Sequence, residues 1–303
     1  MMNHDKKKRI AGSVIRCLLT LLLTLSLLLA FLCGVFSFSL CRRSVLIGAA
    51  EKADYTGGMK EYLVEQFAAL STTAGINNAV PIAFLDEYLT DDVARFPIEK
   101  IFSEEKDSLD FTGAKELLLA RITDYAQGLR ESREIEMSRE EWEQVFASFD
   151  TLCDYYISEV KTAILLRGIY GTIGALISQI NAMMPLVLSV SAFLALASIL
   201  LIGKIGGCRG LLLSLYAALG AGGILYATFP AIIYIKKIPQ RIGLDPPYFK
   251  SLIRAILEGF LRNALYVGMA MLLGALICGV IYLLKKKKGD IHDQKLQNEK
   301  AEG

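Results

Sequence analysis

The chain has 303 residues, 53% of them hydrophobic, and a formal net charge of only +2. Its apolar residues are gathered into long charge-free runs, which excludes an ordinary soluble globular protein with dispersed apolar residues. The charge is also divided, because residues 42–182 hold 24 Asp and Glu against 14 Lys and Arg. An acidic region of this size repels phosphate, which excludes nucleic acid as a partner.

Four charge-free runs predict four transmembrane helices, at residues 17–41, 185–203, 211–235 and 264–284. About 20 apolar residues in a helix cross the ~30 Å hydrocarbon core of a bilayer. A backbone in lipid must also satisfy its own hydrogen bonds, as a helix does. The sequence therefore predicts an all-α fold, a four-transmembrane-helix membrane protein with an extracytoplasmic α-helical domain between the first and second spans.

The N-terminal segment 1–16 is basic and leads into the first span, residues 17–41. A basic start before an apolar run is typical of a signal peptide, whose apolar region has about 7–15 residues. Here the run has 25 residues, and Arg42 and Arg43 follow it in place of small residues. We therefore expect an uncleaved signal anchor in the cell (plasma) membrane.

The distribution of Lys and Arg predicts the orientation, because these residues are enriched in cytoplasmic flanks. With the N-terminus inside, the inner flanks of the spans carry 11 Lys and Arg, against eight on the outer side. The sequence therefore predicts cytoplasmic segments at 1–16, 204–210 and 285–303. Residues 42–184 are predicted to lie outside the cytoplasm.

The large domain, residues 42–184, has helical periodicity, with apolar residues recurring at spacings of three and four. Ser138 and Glu141 have the spacing of a capping box, which starts a helix by pairing two free backbone N–H groups with side chains. No charge occurs from Gly168 to Gly203. We therefore expect the helix that begins at Ser138 to pass through a membrane-proximal stalk, residues 162–184, into the second span at Pro185.

Residues 204–210 are predicted to form a tight turn, followed by the third span. Small residues at four-residue spacing on the third and fourth spans predict close helix packing. That packing is either inside one bundle or between two copies of the chain. The small residues are Ser214, Ala218, Gly222, Ala270, Gly274 and Cys278.

The loop 236–263 between the third and fourth spans contains a predicted helix at 248–262. Its charged face carries Lys250, Arg254, Glu258 and Arg262. A basic amphipathic helix beside two spans is typical of an interfacial helix in the headgroup plane, in contact with membrane lipid. The alternative is that its apolar face docks on the large domain. That face consists of Phe249, Leu252, Ile253, Ile256, Leu257 and Phe260.

The sequence predicts no catalytic residue, no metal site and no cofactor. The two histidines, His4 and His292, lie in the terminal tails, so no histidine base is expected in the large domain or the spans. Carboxylate pairs such as Glu104-Glu105 lack the alternating ligand spacing of a calcium loop. A disulfide between Cys41 and Cys153 is one interpretation of the cysteines. In the alternative, Cys153 is a free thiol that packs as a small hydrophobic residue.

The predicted cytoplasmic segments of 16, 7 and 19 residues are too short to fold into a kinase, a cyclase or an ATPase. We therefore expect a non-enzymatic integral membrane protein. Its extracytoplasmic domain would bind or sense a protein, peptide or envelope partner and relay through partner proteins or a second copy of the chain. An accessory or assembly subunit of a membrane transporter or export complex is the alternative. A membrane-embedded enzyme is a third hypothesis, which no residue constellation supports.

Overall fold

The computed structural model describes the backbone of residues 2–102, 109–132 and 137–301, with the side chains of 11–287 inside those ranges except at position 167. The described residues form helices and contain no strand, so the all-α prediction is confirmed. The helices are α1 (Met2–Ser39), α2 (Arg43–Lys52), α3 (Tyr55–Ala74), α4 (Ala79–Tyr88), α5 (Asp91–Lys100), α6 (Phe111–Ser132), α7 (Arg139–Leu165), α8 (Ile169–Ile235) and α9 (Pro247–Ala301), with 3-10 turns at Leu166–Gly168 and Ile238–Gln240.

Three helical stretches in the described residues are long and apolar enough to cross a membrane, Ala11–Ser39, Arg139–Ile235 and Pro247–Lys287. The sequence predicts four spans, and the structure has three such stretches because the second and third predicted spans both belong to α8. Large apolar side chains on these stretches are exposed, with 70% exposure for Phe193 and 80% for Ile235. Such surfaces fit a multi-pass membrane protein, since lipid covers them at no cost.

The chain divides into two compact units. The bundle comprises Met1–Cys41, Gln179–Arg241 and Leu257–Gly303, and the domain comprises Arg42–Ser178 and Ile242–Ile256. The domain thus differs from the predicted range 42–184 in two ways. It ends at Ser178, and it includes a segment of the loop between the third and fourth predicted spans.

In the bundle, α1 runs parallel to the C-terminal half of α8. The Thr20 hydroxyl donates a hydrogen bond to the Ser214 hydroxyl at 2.9 Å, and the Tyr226 hydroxyl donates to the Leu28 carbonyl at 2.8 Å. The residue numbers of the paired positions rise together on the two helices, so the helices run in the same direction. Hydroxyl groups inside an apolar bundle need such partners, because an unpaired buried hydroxyl costs free energy.

The C-terminal half of α8 runs antiparallel to α9. The Arg209 guanidinium donates to the Lys285 carbonyl at 3.1 Å, and the Tyr234 hydroxyl donates to the Glu258 carbonyl at 3.2 Å. Between these two contacts the residue numbers rise on α8 and fall on α9, so the helices run in opposite directions. The two helices are therefore paired along most of their length in the bundle.

One residue interrupts α8. Gly207 has φ 59° and ψ −168°, which is not helical and which glycine adopts without a Cβ penalty. Ile202 before it and Ala218 after it pack in one cluster with Leu23, so the two halves of α8 fold back on each other. The predicted turn at 204–210 thus centres on Gly207. Pro185, the predicted boundary between the stalk and the second span, lies inside α8.

The core of the domain forms where α3, α4, α6 and α7 pack together. Phe67 and Tyr156 are fully buried, with ring centroids 4.7 Å apart in an edge-to-face arrangement. The Tyr156 hydroxyl shares a 2.7 Å hydrogen bond with the Ser71 hydroxyl. The apolar stripes of the sequence supply the rest of this core, including Met59, Leu63, Leu118, Ile122, Phe149, Cys153 and Val160.

Helix α7 begins where the sequence predicts, but it ends earlier than predicted. The backbone N–H of Ser138 donates to Glu141 Oε2 at 2.6 Å, and the N–H of Glu141 donates to the Ser138 hydroxyl at 3.2 Å, so the capping box is confirmed. The helix ends at Leu165, where Leu166 (φ 42°) and Gly168 (φ 84°) have left-handed backbones. The prediction of one continuous helix from Ser138 into the second span is therefore wrong.

Candidate functional site

A half-open cleft in the domain is the candidate functional site, and its volume is about 650 Å³. Cavities of roughly 300–1,000 Å³ with mostly apolar walls are typical of small-molecule sites. Four helices supply the walls, namely the end of α5, the start of α6, the end of α7 and the start of α8. The described lining residues are Phe96, Pro97, Lys100, Ile101, Leu109, Phe111, Lys161, Leu165, Gly168, Tyr170, Gly171, Gly174 and Ala175.

Glycines form one wall of the cleft. Gly168, Gly171 and Gly174 recur every third residue through the turn that joins α7 to α8. A Cβ added at Gly171 would meet no atom within 4 Å, and one added at Gly174 would only reach ordinary contact with Ile101. The wall is therefore open because these residues carry no side chains. These three glycines are visible in the sequence, where they lie in the predicted membrane-proximal stalk and suggest a segment packed against its neighbours.

Two lysines stand at the cleft, and each lies over an aromatic ring. The Nζ of Lys100 is 5.3 Å from the centroid of Phe96, and the Nζ of Lys161 is 5.8 Å from the centroid of Phe111. Such cation–π contacts hold an ammonium group beside apolar surface. Among the described lining residues there is no carboxylate, so the two charged side chains of the described lining are both cationic.

Tyr170 lines the cleft and is 7% exposed. Its hydroxyl is hydrogen-bonded to the hydroxyl of Tyr55, which is 1% exposed. Burial raises the pKa of Tyr55 far above its usual range, because a phenolate is poorly solvated there. This hydroxyl pair therefore stays protonated near neutral pH.

The segment Ile242–Ile256, which we name the docked segment, completes the domain beside this tyrosine pair. Tyr248 is 2% exposed, and its ring lies 5.4 Å from that of Tyr55. Its hydroxyl donates to the Ala163 carbonyl at 2.7 Å. Phe249 packs edge-on to Tyr170, with centroids 6.2 Å apart. The docked segment therefore contacts the cleft wall through Tyr170.

The predicted interfacial helix 248–262 is part of α9, which continues without a described break from Pro247. Phe249 and Leu252 are buried in the domain, at 5% and 3% exposure. Docking on the domain, the alternative interpretation, describes this first part of the helix. Phe260 instead belongs to the bundle, where its ring lies 5.1 Å from that of Phe36. The remaining residues of the predicted face, Ile253, Ile256 and Leu257, are half-buried.

The six small residues singled out on the third and fourth predicted spans are used unequally. Ser214 and Ala218 are buried against α1, and Gly222 and Gly274 face neighbouring side chains within the bundle. Ala270 is exposed and Cys278 is half-buried. The closest helix approach lies beside this pattern, at Gly223 and Gly268. The spacing of small residues predicts that two helices approach each other. It does not predict which residues of the two helices lie opposite one another.

A Cβ at Gly268 would lie 2.7 Å from the backbone nitrogen of Ala227 and 2.8 Å from the carbonyl carbon of Tyr226. A Cβ at Gly223 would lie 3.0 Å from the Gly268 carbonyl oxygen. These are contacts with backbone, which cannot rotate away. The two helices therefore touch through their main chains at this point, as small residues permit.

Cys41 and Cys153 are both free thiols in the structure, so the disulfide interpretation is not realised. Cys153 is fully buried on the inner face of α7. Burial raises its pKa to about 11, so the thiol stays protonated near neutral pH and is a weak nucleophile. No group of described His, Cys, Asp and Glu residues is arranged to hold a metal ion. The side chains of His4, His292 and the pair Glu104-Glu105 lie outside the described residues.

The cleft offers apolar area, two ammonium groups and a hydroxyl, which together make a binding surface. Its described lining residues include none that pairs a nucleophile with a base, as covalent catalysis requires. Comparison with known proteins adds no family to this description. No family model, no curated protein and no solved structure matches the chain.

Proposed function

We propose that this chain is a non-enzymatic, four-span membrane protein whose extracytoplasmic domain binds an envelope ligand in the cleft. Binding would be passed on through partner proteins, because the predicted cytoplasmic segments are too short to form a signalling domain. The observation that carries the proposal is the apolar, half-open cleft of about 650 Å³ with its glycine wall. Sites of this size and character bind ligands in other proteins.

The four-span count is supported by the fold-back of α8 at Gly207. Each half of α8 is apolar and long enough for a separate crossing, and Ile202 and Ala218 pack side by side across the break. A helix that crossed once would place these residues about 24 Å apart at 1.5 Å per residue. With the N-terminus in the cytoplasm, an even number of spans returns the C-terminus to the same side.

Orientation is tested by labelling single cysteines with a membrane-impermeant maleimide, in an otherwise cysteine-free chain. The variant Gly128→Cys places a thiol on the exposed side of α6, and native Cys208 is exposed beside Gly207. We expect intact cells to label position 128 and to leave position 208 unlabelled until lysis. The reverse pattern would invert the proposed topology.

The binding role is tested by crosslinking in intact cells, purification in mild detergent and mass spectrometry. The variant Gly171→Leu fills the cleft from its open wall, where a Cβ meets no other atom. Gly128→Leu is the matched control, because position 128 is an exposed helical glycine with open space around it. We expect the protein's crosslinked partner to be reduced by Gly171→Leu and unchanged by Gly128→Leu.

Two outcomes contradict the proposal. If the wild-type chain comes out alone and monomeric, it does not act through partners. If the partner is captured equally by wild type and Gly171→Leu, the cleft is not the site through which this partner is engaged. In that second case an accessory subunit of a transporter or export complex becomes the better hypothesis.

A further inference from the structure

We propose that the cleft takes the acyl chain of an anionic phospholipid from the bilayer, with Lys100 and Lys161 facing its headgroup. This inference rests on the proposed function, since it names the ligand class of the same cleft. It follows from four properties of the described residues, which are the polarity of the walls, the size of the cavity, the charge at the cleft and the distance to the membrane.

The walls of the cleft favour an acyl chain over an extended peptide. The described lining has three polar side chains, the ammonium groups of Lys100 and Lys161 and the hydroxyl of Tyr170. That hydroxyl is already hydrogen-bonded to Tyr55. An extended peptide brings one N–H and one C=O per residue into the cleft, and each costs free energy when it is left unpaired. An acyl chain brings neither.

The size of the cleft disfavours a fully enclosed helical peptide, which would satisfy its own backbone. An α-helix with side chains is about 10 Å across and rises 5.4 Å per turn, so two turns fill roughly 850 Å³. The cleft holds about 650 Å³. A flexible chain one methylene wide can follow the groove past Gly168, Gly171 and Gly174 without that constraint.

The charge at the cleft favours an anionic headgroup. Residues 42–182 carry ten more acidic than basic side chains, and yet the charged groups of the described lining are both lysines. Each ammonium is held over an aromatic ring at the apolar wall, with Nζ 5.3 Å from Phe96 or 5.8 Å from Phe111. An ammonium group beside apolar surface matches a ligand with an apolar body and a negative head.

The short chain segment between the cleft and the second predicted span makes the bilayer a nearby source of lipid for the cleft. Ala175 lines the cleft, and the second predicted span begins ten residues later, at Pro185. Ten residues extend over at most about 35 Å in any conformation. A lipid from the outer leaflet therefore needs to move no farther than this to enter the cleft. A ligand from solution has no such local supply.

The test uses the full chain in nanodiscs that contain a trace of phospholipid with a photoreactive diazirine on one acyl chain. Phosphatidylglycerol carries the negative headgroup, and phosphatidylcholine with the same acyl chain is the neutral control. After illumination, labelled peptides are mapped by mass spectrometry. We expect phosphatidylglycerol to label the peptides at 96–101 and 161–175 at least fivefold more than phosphatidylcholine does.

Matched variants separate the two features of the site. We expect Gly171→Leu and Ala175→Phe to lower labelling by both lipids at least fivefold, whereas Gly128→Leu leaves it unchanged. We expect Lys161→Gln to reduce phosphatidylglycerol labelling to the phosphatidylcholine level, and Lys161→Arg to retain it. Circular dichroism of each variant confirms that the helical content is kept.

The inference is overturned if the cleft peptides label no more than other surface peptides of the domain, or if the two lipids label them equally. The proposed function fails separately, through the crosslinking experiment. If lipid labelling is absent and Gly171→Leu still abolishes partner capture, only the lipid assignment is wrong. If Gly171→Leu alters neither lipid labelling nor partner capture, the cleft is not a binding site.

Discussion

The hydroxyl of Tyr248 donates a 2.7 Å hydrogen bond to the carbonyl of Ala163, 85 residues earlier in the chain. Ala163 lies in the last turn of α7, where carbonyl groups have no partner within the helix. Tyr248 therefore satisfies the C-terminal end of α7 from outside the helix. This contact ties the docked segment to the helix that leads into the glycine wall of the cleft.

Replacing Tyr248 by Phe removes this hydrogen bond and keeps the ring. We expect the free energy of local opening at the end of α7 to fall by about 1–2 kcal/mol, because a buried carbonyl loses its partner. Hydrogen exchange of the peptide covering 160–168 measures this free energy of local opening. Tyr155→Phe is the control, since Tyr155 is 60% exposed on the same helix. Equal effects of the two variants would show that Tyr248 contributes only its ring.

Gly58 on α3 is the residue against which Tyr248 packs. A Cβ at Gly58 would lie 3.1 Å from the Cβ of Tyr248 and 3.6 Å from its Cα. We expect Gly58→Val to displace the docked segment and to destabilise the domain by about 1–3 kcal/mol, as overpacking does. Thermal unfolding followed by circular dichroism checks this. Gly48→Val on α2 is the control, because no atom lies within 4 Å of its added Cβ. A matching loss of stability in both variants would assign the effect to β-branching in a helix.

Gly268 on α9 should be intolerant of any side chain, because its nearest neighbours are backbone atoms of α8. We expect Gly268→Ala to force the two helices apart and to lower the thermal midpoint of the bundle in detergent, at a cost of about 1–3 kcal/mol. Gly259→Ala on the same helix should be neutral or stabilising, since no atom lies within 4 Å there and alanine favours helix. Size-exclusion chromatography after heating ranks the variants. A Gly268→Ala chain as stable as Gly259→Ala would contradict the close approach.

The capping box at the start of α7 predicts a pH dependence. The backbone N–H of Ser138 lowers the pKa of Glu141 below the value of about 4.3 for an unperturbed glutamate. Because the folded pKa is the lower one, the carboxylate stabilises the helix start above about pH 4.3, and this contribution fades as the pH falls through the folded pKa. We expect Glu141→Gln to speed hydrogen exchange in the first turn of α7 at pH 7 and to have little effect near pH 3. Glu140→Gln, with the same charge change one residue away, is the control, and an equal effect from it would argue against the capping box.

The sequence was sufficient wherever a local rule decides the structure. Ser138 and Glu141 form the capping box because both partners lie three residues apart in the chain. The apolar stripe that contains Phe149, Cys153 and Val160 faces the core because helical spacing puts those residues on one side of α7. The long charge-free runs are helices because no other local structure satisfies their backbone in an apolar environment.

The sequence was insufficient wherever the partner of a surface decides the structure. The apolar face at Phe249 and Leu252 is equally suited to a membrane surface or to a protein core. The core is selected by tertiary contacts, such as those of Phe249 with Tyr170 and of Tyr248 with Tyr55. The register of Gly223 against Gly268 depends on where α8 folds back. The end of α7 at Leu165 had no strong local signal, because Leu166 takes a left-handed backbone that leucine rarely adopts.

The discontinuity of the domain has a consequence for its biosynthesis. The docked segment begins 64 residues after Ser178, where the first part of the domain ends. At about 5–20 residues per second, the ribosome needs ~4–16 s to add the chain from Ser178 to the end of that segment. During this interval the nascent domain lacks Tyr248, and the aromatic surface around Tyr55 has no cover. Synthesis of the third predicted span and the loop after it therefore sets the earliest moment at which the domain can reach its native fold.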